Sequence, residues 1–366
     1  MEIDITLSAI KIILAGTASF LLAFLITPSL THILYTRELW RKEVRSKAID
    51  GGDVPIFQKF HKDKEVGTPR FGGILIFFSV PVLALLSGLL ATTGFWWLEK
   101  ISFLSRSQTW LPLATLIASS SVGFLDDMLQ VVKPPMHGAQ RWFWDTFGQY
   151  IAGGLSFRHR FLLVAIIGLV GAWWFVSKLG VTAIFVPFVG PLELGLFFIP
   201  AFMIVMLATY SGGVIDGLDG LAGGVFASSF AAFGIIAFSQ GQIDLAAFCM
   251  AIVGALLAFL WFNIPPARFY MGETGVIGLT ATLSVVAFLT NSVLVLPIIA
   301  LPLVMESGSV ILQLLSKKFL KKKIFEAAPL HHHFEAKGWP HYKITMRFWI
   351  IGVVAAFVGV IIRLLG

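Results

Sequence analysis

A chain of 366 residues that is 57% hydrophobic and only 13% charged, with a mean hydropathy of +0.87, is too apolar for a soluble domain and reads as a polytopic membrane protein. Its net charge of +7 gathers in loops that flank apolar runs, which argues against a nucleic-acid partner. A single cysteine, Cys249, sits inside one of those runs and excludes an intramolecular disulfide.

Apolar runs near the roughly 20 residues that cross hydrocarbon are centred near Ile26, Val80, Ala118, Gly168, Ile204, Phe230, Ala255, Leu283, Ala300 and Val354. They predict an all-α polytopic integral membrane protein, one domain over 1–366 with about ten transmembrane helices. The first run follows Glu2 and Asp4 without a basic leader and is expected to persist as a helix rather than be cleaved as a signal peptide. Short cytoplasmic loops retain Lys and Arg. Nine basic residues fall between Arg37 and Arg70, four between Lys133 and Arg160, then Arg268, and seven between Lys317 and Lys343, which is 21 of the 27. This asymmetry places the loops at about 36–70, 127–160, 213–219, 263–273 and 316–343 in the cytoplasm and both termini outside.

Five acidic residues sit at the edges of these runs, where a carboxylate near hydrocarbon is costly without a partner: Asp126, Asp127, Asp216, Asp219 and Glu273. The topology puts all five on the cytoplasmic face, so they are expected to converge on one polar site that holds a divalent cation against phosphate. Asp126 and Asp127 end the third run; like charges one residue apart repel unless compensated, so one can bind a cation while the other accepts a proton, or the pair is a solvated helix end. In Asp216-Gly217-Leu218-Asp219-Gly220 the two acids are three apart on one side of a helical turn, and the glycines let a ligand approach the backbone. A dinucleotide loop would need a preceding strand, and bare carboxylates would repel a pyrophosphate unless magnesium lay between them; glycine-mediated helix packing is the plainer alternative.

The turn from Asn263 to Gly275 contains two prolines and offers an amide, a cation, an aromatic face and a carboxylate. Arg268 can meet phosphate, Tyr270 can stack on a base and Glu273 can bind a metal, although Arg268 and Tyr270 taken alone are also ordinary interfacial anchors. His331, His332 and His333 cannot all point one way, which favours phosphate donation or loop hydrogen bonding over a transition-metal site.

Gly67-Thr68-Pro69 with Gly72-Gly73, Asp126-Asp127, Thr182 to Pro187 with Gly190 to Glu193, the Asp216 segment, Trp261 to Gly275, Glu306-Ser307 with Gln313, and Pro329 to Trp339 together resemble the phospho-N-acetylmuramoyl-pentapeptide transferase family of the polyprenyl-phosphate N-acetylhexosamine-1-phosphate transferase superfamily. The resemblance covers most of the chain, and the histidine segment with Lys337-Gly338-Trp339 is its most specific part. It implies a ten-helix enzyme of the bacterial inner (plasma) membrane, commonly dimeric, with a cytoplasmic active site and a short extracytoplasmic hairpin near 182–193. The implied reaction moves phospho-MurNAc-pentapeptide from UDP-MurNAc-pentapeptide to undecaprenyl phosphate, forming lipid I and UMP, with Mg2+ as cofactor.

By the same resemblance Asp216 and Glu273 are the metal ligands, Asp126 the base or phosphate-orienting group, and Asp127 a support for Asp126 or for the metal. Gly67, Thr68, Pro69, Arg160, Gly217, Leu218, Asp219, Asn263, Tyr270, Gly272, Gln313 and the three histidines form the substrate-binding set. The chain departs from the family pattern where Tyr210 and Gly213 replace two asparagines, Gln130 a lysine, Glu273 an aspartate, Val276 a serine and Tyr270 a phenylalanine. An apparent insertion between Val131 and Gly153 carries the aromatic segment Trp142 to Tyr150, expected at the membrane interface beside the lipid entrance, with Lys133 or Arg160 replacing the missing cation. A sister transferase using another UDP-sugar, and a catalytically degenerate or transport-like membrane homologue, are the alternative readings.

Overall fold

The computed structural model describes residues 2–42, 66–131 and 154–366; Lys133 and the Trp142–Tyr150 segment lie outside the described residues. Helix α1 spans Glu2–Thr36, α2 Ile74–Ala91, α3 Trp96–Ile101, α4 Trp110–Val131 and α5 Phe157–Lys178. Strands β1 (Ala183–Val186) and β2 (Gly190–Glu193) pair antiparallel, Ala183 opposite Glu193 and Val186 opposite Gly190. Then come α6 (Phe198–Ser211), a 3-10 turn over Gly212–Ile215, α7 (Leu221–Ser239), α8 (Ile243–Asn263), α9 (Gly272–Leu289), α10 (Leu296–Ile299), α11 (Leu301–Leu315), α12 (Leu330–Ala336) and α13 (His341–Leu365).

Nine of the ten expected run centres fall on these helices and Ala300 falls between α10 and α11; among the described residues eight helices are long and apolar enough to cross a membrane. The remaining two positions differ for physical reasons. Helix α4 is long enough but carries Ser119, Ser120, Ser121 and the aspartate pair. The run around Ala300 is broken into α10 and α11, each with a proline in its first turn, because a proline ring lacks the N–H and collides with the carbonyl four residues earlier.

Helices α7, α8 and α9 form the centre, and α9 is buried along almost its whole length. Around them α1, α2, α5 and α13 expose large apolar side chains such as Leu25, Leu89, Leu162, Trp173 and Phe357, the surface expected of lipid-facing helices. Close contacts rely on small residues: a Cβ on Gly254 of α8 would strike the Gly16 carbonyl of α1, and a Cβ on Gly123 of α4 would strike the Glu273 carbonyl. The second contact brings the end of α4 onto the start of α9. A second cluster joins Phe175, Phe198, Phe202 and Phe288, with the Phe202 and Phe288 rings 4.6 Å apart.

The hairpin and the acidic residues lie at opposite ends of α9. The Phe185 N–H donates to Asn291 Oδ1 at 2.8 Å just beyond the C-terminal end of α9, while Glu273 sits in its first turn. Eighteen residues of α-helix separate the two levels by about 27 Å, close to the thickness of the hydrocarbon layer.

Candidate active site

The start of α9 organises the site. Gly272 has φ +72°, and a Cβ there would collide with the Arg70 carbonyl and the Asp127 carboxylate, so the chain turns into the helix only because the residue is glycine. Asp127, fully buried, accepts the Glu273 N–H at 3.0 Å, the Thr274 N–H at 2.8 Å and the Thr274 hydroxyl at 2.7 Å. Its carboxylate thus caps α9 from a neighbouring helix, where a negative charge meets the positive end of the helix dipole. Both its oxygens are engaged in the fold.

Asp126, also fully buried, is held differently. Its Oδ1 accepts the Leu155 N–H at 2.5 Å; its Oδ2 accepts Gln130 Nε2 at 2.7 Å and lies 3.4 Å from an Arg160 nitrogen. The same Arg160 nitrogen pairs with Glu273 Oε1, so one guanidinium joins two of the expected acidic residues. Gln130 Oε1 in turn accepts Arg41 Nε at 2.8 Å and a second Arg41 nitrogen. Tyr210, buried and stacked on Phe157 with ring centroids 6.5 Å apart, completes the wall beside Arg160 and Glu273.

Asp216 follows the 3-10 turn, and its Oδ2 accepts the Gly272 N–H at 3.1 Å. Burial pushes its carboxyl up to about 6; Arg70 and the Gly272 N–H oppose the rise, and Glu273 and Asp219 add to it. Asp219 accepts the Ala267 N–H at 3.2 Å, and its carbonyl accepts the Thr345 hydroxyl of α13 at 3.0 Å. Asn263 stitches the two acidic loops together: Oδ1 accepts the Gly220 N–H at 2.9 Å and Nδ2 donates to the Phe269 carbonyl at 2.8 Å. Leu218 is buried in the main core beside them.

The segment 67–73 lies along this loop as a short extended pairing. The Tyr270 N–H donates to the Pro69 carbonyl at 2.8 Å, and the Gly72 and Gly73 N–H groups donate to the Tyr270 and Met271 carbonyls at 2.8 Å each. Gly67 (φ +102°) and Thr68 precede it, half-buried. Tyr270 keeps its ring half-buried, while Arg268 is exposed with its guanidinium 5.7 Å from the Phe262 ring, and its carbonyl accepts the Tyr35 hydroxyl at 2.9 Å.

The three histidines diverge. His331 is fully buried: Glu306 accepts its N–H at 3.2 Å and bonds its Nδ1 at 2.9 Å, while its Nε2 has no partner among the described residues and faces Gly217, where a Cβ would strike it. Burial alone lowers an imidazole, but Glu306, with Glu335 and Asp216 behind it, raises this one. His332 Nδ1 pairs with Glu335, which also bonds His341 at 2.6 Å, and His333 Nδ1 accepts the Glu326 N–H at 3.2 Å. Gln313 holds the preceding loop, its Oε1 accepting the Ile324 and Phe325 N–H groups at 3.0 Å each and its Nε2 donating to the Phe325 carbonyl at 2.9 Å.

A model of glycosyl transferase family 4 matches residues 109–291, which contain all five acidic residues. The chain is 34% identical to the phospho-N-acetylmuramoyl-pentapeptide-transferase of Geobacillus thermodenitrificans over 359 residues, covering 96% of this chain and 98% of that protein. It is also 34% identical to the protein of that name from Clostridium perfringens, covering 98% and 99%, and 35% identical to the one from Levilactobacillus brevis, covering 81% and 85%. The chain belongs to the phospho-N-acetylmuramoyl-pentapeptide-transferase family.

As a member of that transferase family it is a multi-pass membrane enzyme, and the structure gathers the residues singled out from its sequence at one end of the helix bundle. Asp126, Arg160 and Glu273 meet directly. Asp216 meets Gly272; Asp219, Asn263 and Gly220 lock the loops; His331 abuts Gly217. Two charged residues of the site had no motif to betray them. Arg41 is one basic residue among nine in its loop, and Arg70 follows Pro69 without a distinguishing pattern, yet its charge acts on both Asp127 and Asp216.

Proposed function

We propose that this protein transfers phospho-MurNAc-pentapeptide from UDP-MurNAc-pentapeptide to undecaprenyl phosphate, releasing UMP and forming lipid I. The observation that carries this reading is the convergence of Asp126, Asp216 and Glu273, from three separate segments, around Arg160 and Arg70 in a chain of this family. Two phosphates must approach each other despite repulsion, and catalysis of such a transfer is mostly positioning and neutralisation.

Asp216 and Glu273 would hold Mg2+. Among the described residues Asp216 Oδ1 and Glu273 Oε2 accept no hydrogen bond, which leaves each carboxylate one oxygen for a cation. No group of three or more carboxylate, histidine or cysteine side chains able to hold a metal gathers among the described residues; two carboxylates suit magnesium, which commonly takes its other ligands from substrate phosphate and water. When bound, the ion would neutralise the diphosphate. Arg160 draws Glu273 towards Asp126 and adds fixed positive charge where the acceptor phosphate arrives. Asp126, fixed by Leu155, Gln130 and Arg160, is placed to orient that phosphate or accept its proton. His331 Nε2, buried and without a partner among the described residues, offers the donor-side loop a polar contact beside Gly217.

The bacterial inner membrane with a cytoplasmic site, and the paired subunits common in the family, belong to the same proposal; the concentration of basic residues in alternate loops supports the orientation. Purified protein given undecaprenyl phosphate and Mg2+ should release UMP from UDP-MurNAc-pentapeptide, and Asp126→Asn and Asp216→Asn should each lower the rate by about 100-fold or more. Release from UDP-GlcNAc alone would assign a sister transferase. No release with either sugar from folded protein would overturn the reading.

A further inference from the structure

Tyr35 ties the end of α1 to the Arg268 carbonyl and so seats the next residues, 37–42, against the site. Arg41 reaches from there to Gln130 Oε1, with Nε at 2.8 Å and a second guanidinium nitrogen on the same oxygen. A guanidinium has only donors. Gln130 must therefore turn its oxygen to Arg41 and its NH2 group away, and that NH2 group donates to Asp126 Oδ2 at 2.7 Å.

We infer that Arg41 is a positioning residue of the transfer reaction, acting on Asp126 through the Gln130 amide. The inference rests on the function proposed above. With Arg41 in place the amide has one polarity, and Asp126 is held by three donors: the Gln130 NH2 group, the Leu155 N–H at 2.5 Å and Arg160 at 3.4 Å. Without Arg41 the amide still gives its NH2 group to the carboxylate, but its oxygen loses both guanidinium donors and the side chain loses its far anchor, so Asp126 is held less firmly against the Leu155 N–H. The guanidinium also polarises the amide between itself and the carboxylate, so its positive charge is felt at Asp126 across one intervening side chain.

Arg41 shares no sequence motif with Asp126 and stands 85 positions before it; only the folded chain joins them. A packing role for Arg41 makes a different prediction from a relay. A lysine at position 130 would donate to Asp126 on its own and make the relay unnecessary, whereas a loop that merely needs Arg41 for its shape would need it still.

The experiment compares the wild type, Arg41→Gln, Gln130→Lys and Arg41→Gln/Gln130→Lys in UMP release. Arg41→Gln should lower kcat by about tenfold, the scale of one charge-assisted hydrogen bond, with KM for the UDP-sugar changed less than about twofold. The double variant should match Gln130→Lys alone within about twofold. An unchanged kcat in Arg41→Gln, or an equal loss in both backgrounds, would overturn the relay. If the wild type releases no UMP from any UDP-sugar, the proposed reaction fails, and the relay is decided by hydrogen exchange of the Leu155 amide. That amide should exchange about tenfold faster in Arg41→Gln and return to the slow rate in the double variant; unchanged protection would refute the relay on its own.

Discussion

Asp126 and Asp127 are adjacent on α4 and equally buried, yet one is held largely by side chains and the other largely by main chain. Asp127 takes the Glu273 and Thr274 N–H groups, which any residue but proline supplies. Asp126 takes Gln130 and Arg160, with Leu155 as its one main-chain donor among the described residues. The same division runs through the site: Asp216 and Asp219 accept N–H groups of Gly272 and Ala267, while Glu273 pairs with Arg160. Main-chain donors survive sequence drift. Side-chain donors can be exchanged, and the departures from the family pattern at Gln130, Tyr210 and Glu273 all fall around Arg160.

The main-chain side should be the less forgiving of the two. Asp127→Ala would strand two N–H groups and a hydroxyl in a buried place, at a cost of about 3 kcal/mol or more. The thermal midpoint in detergent should fall accordingly, with Asp127→Asn recovering about half, since an amide oxygen can still accept from the helix start. A wild-type midpoint in Asp127→Ala would break the contrast, because it would mean the cap contributes nothing to α9. On the other side, Arg160→Ala should cost less stability than Asp127→Ala, because Asp126 keeps the Leu155 and Gln130 donors, and should lower UMP release by about 100-fold. Arg160→Lys should recover only part, because the shorter lysine chain falls short of the place where one guanidinium nitrogen meets both Asp126 and Glu273. Full recovery with lysine would show that charge alone matters there.

What the sequence made legible follows the same division. Apolar runs and the Lys and Arg asymmetry revealed the helices and gathered the five acids at loop ends, because a bilayer imposes length and charge rules on single segments. The broken run at Ala300 was readable in principle from Pro297 and Pro302, but hydropathy averages over a break. Asp127 as a cap on α9 and Gln313 as the clasp of the 324–325 loop were not readable, since their partners are backbone groups whose position only the fold decides. Arg41 was hidden for the opposite reason: its loop holds so many cations that composition singles out none.

Gly213 and Val276 sharpen the contrast at a smaller scale. A Cβ on Gly213 would approach Val276 Cγ1 to 2.5 Å, so the two departures from the family pattern occupy one space. Gly213→Asn should therefore destabilise the protein by about 1–3 kcal/mol through overpacking. Adding Val276→Ser should relieve more than half of that loss in the thermal midpoint. Additive losses would mean that the two substitutions arose without reference to each other.

The smallest effect belongs to the buried pair of His331 and Glu306, which joins a side-chain partner to the otherwise main-chain-held half of the site. Burial pulls the imidazole down, but the charge and hydrogen bond of Glu306, with the charges of Glu335 and Asp216, together outweigh it, and the folded pKa lies above the ordinary value of 6.5. A raised pKa makes the stabilisation complete below the unfolded value and removes it as pH climbs through the folded one. Glu306→Gln keeps hydrogen-bonding atoms and loses the charge, so wild type should exceed it by about 1 kcal/mol at a pH of about 6. That difference should narrow as pH climbs through the folded pKa, read as converging thermal midpoints. A difference independent of pH would show that His331 stays neutral in the fold, and Glu306 would then act on the histidine loop through geometry alone.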